Sequence, residues 1–382
     1  MRRQITVAFF ALTAINGVAA TKQPTDNSVK FSGDVRVGYF SNDRDDRNGS
    51  HDTTDEFRLR VRAGAGFKLT NTLSAKARFA GRYSTDDRNH PHFELFKAIP
   101  AGDGLRRGDS TLDELYLAYQ PDANWKIKLG RFQTKFELDG VAKKSLDRAN
   151  SGNTDITWVD GVHAQYKASN GWKVHAILQH NSDEGSTEVR RGPLNFSEDG
   201  SRVSAFFALE NKQKWGPVVQ RAIDVTYLPD ALRVDGTASG RIDDYWALVG
   251  RASAKWPLGH SGMKFQLSGE LGYAANRQTR QAARTGNSGK AGGTATQISF
   301  NFVDIIPKHS VALVLGRVEA GWLLSPDFRN NNTLIETRYV WKMDKKSKLA
   351  IRLRQREDLD DINGAQEDRV DTDFYVRYTH KF

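Results

Sequence analysis

Along almost the whole chain, apolar side chains recur at every second position. Val29, Phe31, Val35, Val37 and Tyr39 alternate with Lys30, Ser32, Asp34 and Arg36. Phe57, Leu59, Val61, Ala63, Ala65 and Phe67 alternate with Arg58, Arg60 and Arg62, and Leu73, Ala75, Ala77, Phe79 and Tyr83 with Lys76, Arg78 and Arg82. A period of two places the two sets on opposite faces of an extended strand. Similar segments fall near 111–120, 124–132, 157–167, 171–180, 202–210, 218–228, 242–256, 262–275, 295–303, 310–322, 333–342, 347–357 and 371–382, sixteen in all. Between 202 and 256 the spacing is least regular, and fourteen or eighteen strands remain open there.

The connections separate two architectures that share this pattern. "TNT" at 70–72, "PDAN" at 121–124, "ASNG" at 168–171 and "MDKK" at 343–346 are tight turns. Long polar stretches lie between them, at 42–54, 85–110, 133–156, 181–201, 276–294 and 358–370. A soluble sandwich has no reason to lengthen every second connection. A transmembrane antiparallel up-and-down β-barrel does, with short periplasmic turns and long extracellular loops. Many of the segments approach the roughly 9–11 residues a tilted strand needs to cross a bilayer. None of the ten prolines falls inside a proposed strand, as a fully paired ladder requires. The fold class expected is therefore all-β, a closed barrel of about sixteen strands by this count.

The start of the chain agrees with export. Met1, Arg2 and Arg3 precede "ITVAFFALTAINGVAA", which is too short to span a membrane and ends on small residues. It reads as a signal peptide over 1–20 with cleavage after Ala20, leaving 21–382 as one barrel domain. The chain has no cysteine, which excludes a disulfide scaffold and thiol chemistry. After the leader no apolar run reaches the roughly 18 residues of a membrane helix.

If the apolar set faces lipid, the alternating set lines the interior. That set carries Arg58, Arg60, Arg62, Lys76, Arg78 and Arg82 early in the chain, and Arg352, Arg354, Arg356 and Arg377 late. Lys30, Arg36, Arg338, Lys348 and Lys381 add to it. Lipid offers no partner for an open edge, so the last strand must pair with the first, and the two groups merge into one basic wall. Glu114, Glu270, Glu319, Glu336 and Asp34 supply a thinner acidic complement. Clustered like charges on a low-dielectric wall concentrate counter-ions, and charged linings are a source of channel selectivity. Tyr39, Tyr83, Trp125, Trp158, Trp172, Trp256, Trp322, Trp341 and Phe382 sit near strand ends, where aromatic girdles are expected.

The terminal Phe382, with Tyr378 before it, resembles the assembly signal of Gram-negative outer-membrane proteins, which the barrel-assembly machinery reads. "EFRLRVRAG", "LDELYLAYQ", "KIKLGRFQTKFELDGVAKKSLDRANSG" and "DITWVDGVHAQYK" resemble the outer-membrane porin families, with features of phosphate-selective and general diffusion porins and of alginate-export-type barrels. The likeness covers mainly residues 55–180. It implies that loop 133–156, with Lys135, Lys143, Lys144 and Arg148, folds into the barrel as a constriction, and it implies a homotrimer in contact with lipid and lipopolysaccharide. "FELDGVA" within that loop is more apolar than a solvated loop needs, which favours the inward course.

No enzyme signature accompanies this pattern. "NDRDDRNGSHDTTDE" places Arg44 where a calcium loop needs its first ligand. The histidines lack metal-ligand spacing, no GxSxG elbow is present, and "RGDS" at Arg107–Ser110 is too short to specify adhesion. The net charge of +10 lies on strands with a lipid face, so nucleic acid is not expected as a partner. The sequence points to a porin without cofactor or metal, passing small hydrophilic solutes and preferring anions. A selective channel for acidic oligosaccharides or organic acids is the first alternative, and a plugged structural or adhesive barrel the second.

Overall fold

Residues 29–85, 100–101, 104–105, 111–148, 158–181, 202–237, 240–259, 262–325 and 327–382 are described by the computed structural model. The expected leader and Arg107–Ser110 lie outside them. Sixteen strands form the barrel: β1 (Val29–Asp45), β2 (His51–Lys68), β3 (Leu73–Ser84), β4 (Thr111–Tyr119), β5 (Trp125–Phe132), β6 (Val159–Lys167), β7 (Trp172–Asn181) and β8 (Arg202–Asn211) in the first half. The second half holds β9 (Val218–Arg233), β10 (Ile242–Pro257), β11 (Lys264–Ala274), β12 (Thr294–Ile306), β13 (His309–Val318), β14 (Asn332–Trp341), β15 (Ser347–Asp358) and β16 (Val370–Lys381). Each strand pairs antiparallel with its chain neighbours, and β1 pairs with β16, so the sheet closes. A two-stranded ribbon, Pro100–Ala101 with Gly104–Leu105, and one helical turn, Arg280–Ala283, lie in connections.

Alternation becomes two faces. Phe57, Leu115, Leu129, Ile223, Leu271 and Leu353 stay exposed on the outside, where a barrel presents its apolar belt to lipid. At the seam, register runs from Asp34↔Lys381 to Asp45↔Val370. Phe382 extends the seam through two backbone hydrogen bonds with Gly33, at 3.1 and 3.2 Å. The Phe382 ring lies over Gly33, and a Cβ there would stand 2.4 Å from it. Glycine is needed for that approach.

Three expectations change. The stretch 42–54 is not a long loop: β1 and β2 stay paired through Asn42↔Thr54 to Asp45↔His51, leaving a turn at 46–50. Polar side chains on both faces suit a hairpin that continues beyond the lipid. Strand β9 runs past its expected end at 228 and contains Pro229. Pairing breaks there between Leu228 and Leu232, so no ladder bond needs the missing N–H. The Asp230 N–H donates instead to the Asp244 carboxylate at 2.9 Å.

The interior also divides into two halves. Inward positions of β9–β14 carry Leu228, Tyr245, Val249, Val314, Val318 and Leu334 in one buried apolar cluster, together with Leu146, Trp322, Leu323, Leu324 and Phe328 from two connections. Most of the basic positions lie in the other half, although Arg251 of β10 forms a buried ionic cluster with Asp147, Asp224 and Glu270 beside the apolar residues. The connection 319–331, absent from the long polar stretches expected, folds inward and buries Ala320, Trp322, Leu323, Leu324 and Phe328.

Candidate functional site: the charged half and the inward loop

The expected basic positions fall on the interior face, with Arg60, Arg82, Arg352, Arg354 and Arg377 buried and Arg58, Arg62, Lys76, Arg78 and Arg356 beside them. Register aligns like charges: Arg36 stands opposite Arg60, which stands opposite Arg82, and Arg338 opposite Arg352. Like charges directly opposite destabilise a sheet, and the surroundings compensate. Asp34 accepts from Arg60 at 3.0 Å and from Arg62 Nε at 2.7 Å. Glu56 pairs with Arg58, and Asp373 with Arg352 and Arg354. Tyr375 is fully buried, with the guanidinium groups of Arg352, Arg377 and Arg338 at 4.4, 4.8 and 5.4 Å from its ring centre. Such stacking on an aromatic face offsets part of the repulsion.

Glu114, expected on the interior face, is joined there by its neighbour Asp113, which was not. Arg78 forms a bidentate pair with Asp113, at 2.8 and 2.9 Å, and its Nη1 lies 3.1 Å from Glu114. Both acids point inward because β3 and β4 slip in register between Arg78 and Phe79. Strict alternation would send one of them to lipid. The sequence signal was available: Leu112 and Leu115 both face out, an odd spacing that alternation cannot produce without a bulge. Asp371 and Asp373 needed only the parity of Tyr375 and Arg377 carried back along the strand.

Arg377 and Lys348 differ from the rest. Neither forms an ion pair among the described residues, and Arg377 Nε and Nη1 are buried without an acceptor. Lys348 lies within electrostatic reach of Arg377, Arg36 and Lys143.

The loop after β5 crosses the interior. Gly130, at φ +120, starts its course, and a Cβ there would meet the Leu115 carbonyl oxygen at 2.4 Å. This gives "LGR" a steric reason. Phe136 packs on Phe206 and His175, with ring centres 4.7 and 5.0 Å away. The Asp139 N–H donates to Gln220 at 2.7 Å, the Val141 N–H to Asn301 at 2.8 Å, and the Leu146 N–H to Glu270 at 3.1 Å. The Trp322 indole N–H donates to the Leu146 carbonyl at 2.9 Å, so the connection 319–331 braces the loop from behind.

Two of the four loop cations are anchors. Lys144 pairs with Glu336 at 2.8 Å, and Arg148 stacks on Phe206 at 4.6 Å and donates to Gln179 at 2.8 Å. Both are buried. Lys135, with a largely exposed side chain, lies 3.4 Å from Glu137. Burial, with repulsion from Lys135, holds the Lys143 ammonium below the usual lysine range. Burial pushes the Glu137 carboxyl above its usual range despite Lys135 and Lys143.

Two aromatic assignments are corrected. Trp322 is fully buried inside, and Trp158 is buried beneath the Arg131 guanidinium at 4.5 Å. Both follow or precede strands and mimic girdle residues in sequence, but their ring N–H groups are satisfied within the protein. Among the described residues, no group of three or more histidines, aspartates or glutamates is placed to hold a metal ion.

A closed sixteen-strand barrel with an apolar outer belt, a charged interior face and an inward loop after the fifth strand has the fold of the outer-membrane porins. OprB of Pseudomonas putida superposes with a TM-score of 0.61 at 10% identity, over 93% of this chain and 94% of that one. DcaP of Acinetobacter baumannii gives 0.55 at 13% identity, over 96% and 100%. The anion-selective porin from Comamonas acidovorans gives 0.51 at 12% identity, over 94% and 100%. The sequence matches no protein-family model and no curated protein sequence.

Proposed function

We propose that the chain forms a water-filled channel for passive diffusion of small hydrophilic solutes, with preference for anions. The observation that carries this reading is the distribution of compensated and uncompensated cations. Most of the wall is interleaved with Asp34, Glu56, Asp113, Glu336 and Asp373, while Arg377 and Lys348 form no ion pair among the described residues and Lys348 lies within electrostatic reach of Arg377, Arg36 and Lys143. A permeating anion meets its attraction at that level, where the loop narrows the charged half. No covalent step is required. Opposed cations across a narrow gap raise anion occupancy by field focusing.

The interleaved carboxylates favour small anions over a long acidic polymer, which would need an unbroken run of free cations. An anion-selective relative in fold, the Comamonas acidovorans porin, is consistent with the reading. The buried apolar half leaves the charged half as the route. Phe382 at the seam is proposed as the residue the assembly machinery recognises, and a homotrimer as the assembled form.

The test is the reversal potential of the refolded mature chain in a planar bilayer across a KCl gradient. Chloride preference supports the reading. Potassium preference sinks the charge argument, and failure to conduct despite confirmed insertion sinks the channel.

A further inference from the structure

We propose that the outer surface of β9–β11 binds one anionic glycerophospholipid of the periplasmic leaflet, with its phosphate on Arg221 and an acyl chain in the adjoining trough. Arg221 lies on the lipid-facing side of β9, since Gln220 and Ala222 beside it are buried inside and Ile223 two positions on is exposed. A cation there is costly at the bilayer midplane and far less so near an interface. Its level in the barrel is set by register. Trp172 stands opposite Asn211, Asn211 opposite Arg221, and Arg221 opposite Ala252. Trp172 and Asn211 flank short turns, so this row lies at the end where the short turns and both ends of the described chain gather. That is the periplasmic end of such a barrel.

Arg221 is held there by aromatic faces. Its guanidinium carbon lies 5.4 Å from the ring centres of both Trp172 and Trp215, and Trp215 is 68% exposed. Tryptophans occupy the headgroup level of a membrane. Among the described residues no carboxylate pairs with Arg221, and its Nε is buried without an acceptor. An anion from outside the chain is the complement this arrangement lacks, and the lipid phosphate is the anion found at that depth.

Beside Arg221 the belt of large side chains is interrupted. Gly250, Ala252 and Ala254 on β10 and Gly269 on β11 take outward positions, and a Cβ on Gly250 would meet nothing within 4 Å. The resulting trough has a volume of 730 Å³ and is walled by Val218, Leu267, Leu271 and Ile298. This lies within the roughly 300–1,000 Å³ of small-molecule sites. An apolar trough lined by Ala252, the residue directly opposite a cation of the headgroup level, matches the two ends of a phospholipid and commits the surface to that occupant.

The experiment is native mass spectrometry of the refolded mature chain, released from detergent after titration with palmitoyl-oleoyl phosphatidylglycerol. The diacylglycerol with the same chains serves as the headless control. The expected result is one phosphatidylglycerol per barrel, weakened at least tenfold by Arg221→Ala or Ala252→Trp and retained by Arg221→Lys. Folding of each variant is checked by heat-modifiable electrophoretic mobility. Equal retention by all variants, or equal binding of diacylglycerol, would overturn the proposal. Dimeric ions free of lipid and abolished by Ala252→Trp would overturn it in favour of a contact between copies.

Discussion

Lys144 of the inward loop and Glu336 of β14 form an ion pair of 2.8 Å, with side chains 2% and 0% exposed. Glu336 also binds Arg338, and the Lys144 ammonium lies 5.2 Å from the Phe328 ring centre. The loop is thus tied to the wall and to the connection 319–331 at one point. Lys144→Met removes one member of a buried ion pair while Arg338 keeps Glu336 compensated, so the expected loss falls short of the roughly 3–5 kcal/mol that an uncompensated buried charge costs. A lower unfolding temperature of the refolded barrel, with more frequent closing events in single-channel traces, is the expected outcome. An unchanged trace and melting point would remove the anchor role of Lys144.

The balance of paired and unpaired cations gives two variants with opposite signs. Arg377→Gln removes a cation that lacks a carboxylate partner and should lower the chloride-to-potassium permeability ratio. Asp373→Asn releases Arg352 and Arg354 from their shared partner and should raise it. Both are read from reversal potentials at low salt, because screening shortens the reach of these charges to about 8 Å at physiological ionic strength. Shifts in the same direction would show that the charged half does not set selectivity.

How much of this was legible follows from what alternation encodes. Period two assigns each residue to a face, so the interior placement of Arg58, Arg60, Arg352 and Arg377 could be read directly. The bulge that turns both Asp113 and Glu114 inward shows only as a break in parity, the odd spacing of Leu112 and Leu115, and the neutralisation of Arg78 follows from it. Alternation also fails where both faces are apolar. "VALVLGRVEAGWLL" at 311–324 is nearly continuous, because β13 faces lipid outside and a packed cluster inside. The same run hid Trp322, whose neighbour in space, Leu146, is far away in sequence. Loop 133–148 was readable from its apolar content, but which of its cations are anchors depends on Glu336 and Gln179, supplied by distant strands.

The seam at Gly33 makes a prediction about barrel closure. A Cβ on Gly33 would stand 2.3 Å from the Arg62 carbonyl oxygen and 2.4 Å from the Phe382 ring. Gly33→Val must therefore displace Phe382 and weaken the last contacts between β16 and β1. Refolding into lipid vesicles should give less heat-modifiable barrel than wild type. Deleting Phe382 should have a similar effect, and the combined variant should be no worse than either alone. Additive losses would mean that Gly33 and Phe382 act separately.

The titration of the loop separates charge from packing. Burial lowers the Lys143 pKa, so the folded channel loses this cation at a pH below the roughly 10.4 of a free lysine. Anion preference should fall as pH rises through that lowered value. A base with a depressed folded pKa adds stability above its unfolded pKa and loses it as pH falls through the folded one. Rising pH therefore does not loosen the loop through Lys143, and the change in selectivity is one of charge. Glu137, raised by burial, titrates in a separate window, where falling pH neutralises it early and should increase anion preference. Reversal potentials measured across both windows should show the two steps, and Lys143→Arg should abolish the alkaline one while leaving the acid step in place. Persistence of the alkaline step in Lys143→Arg would assign it to another cation of the wall.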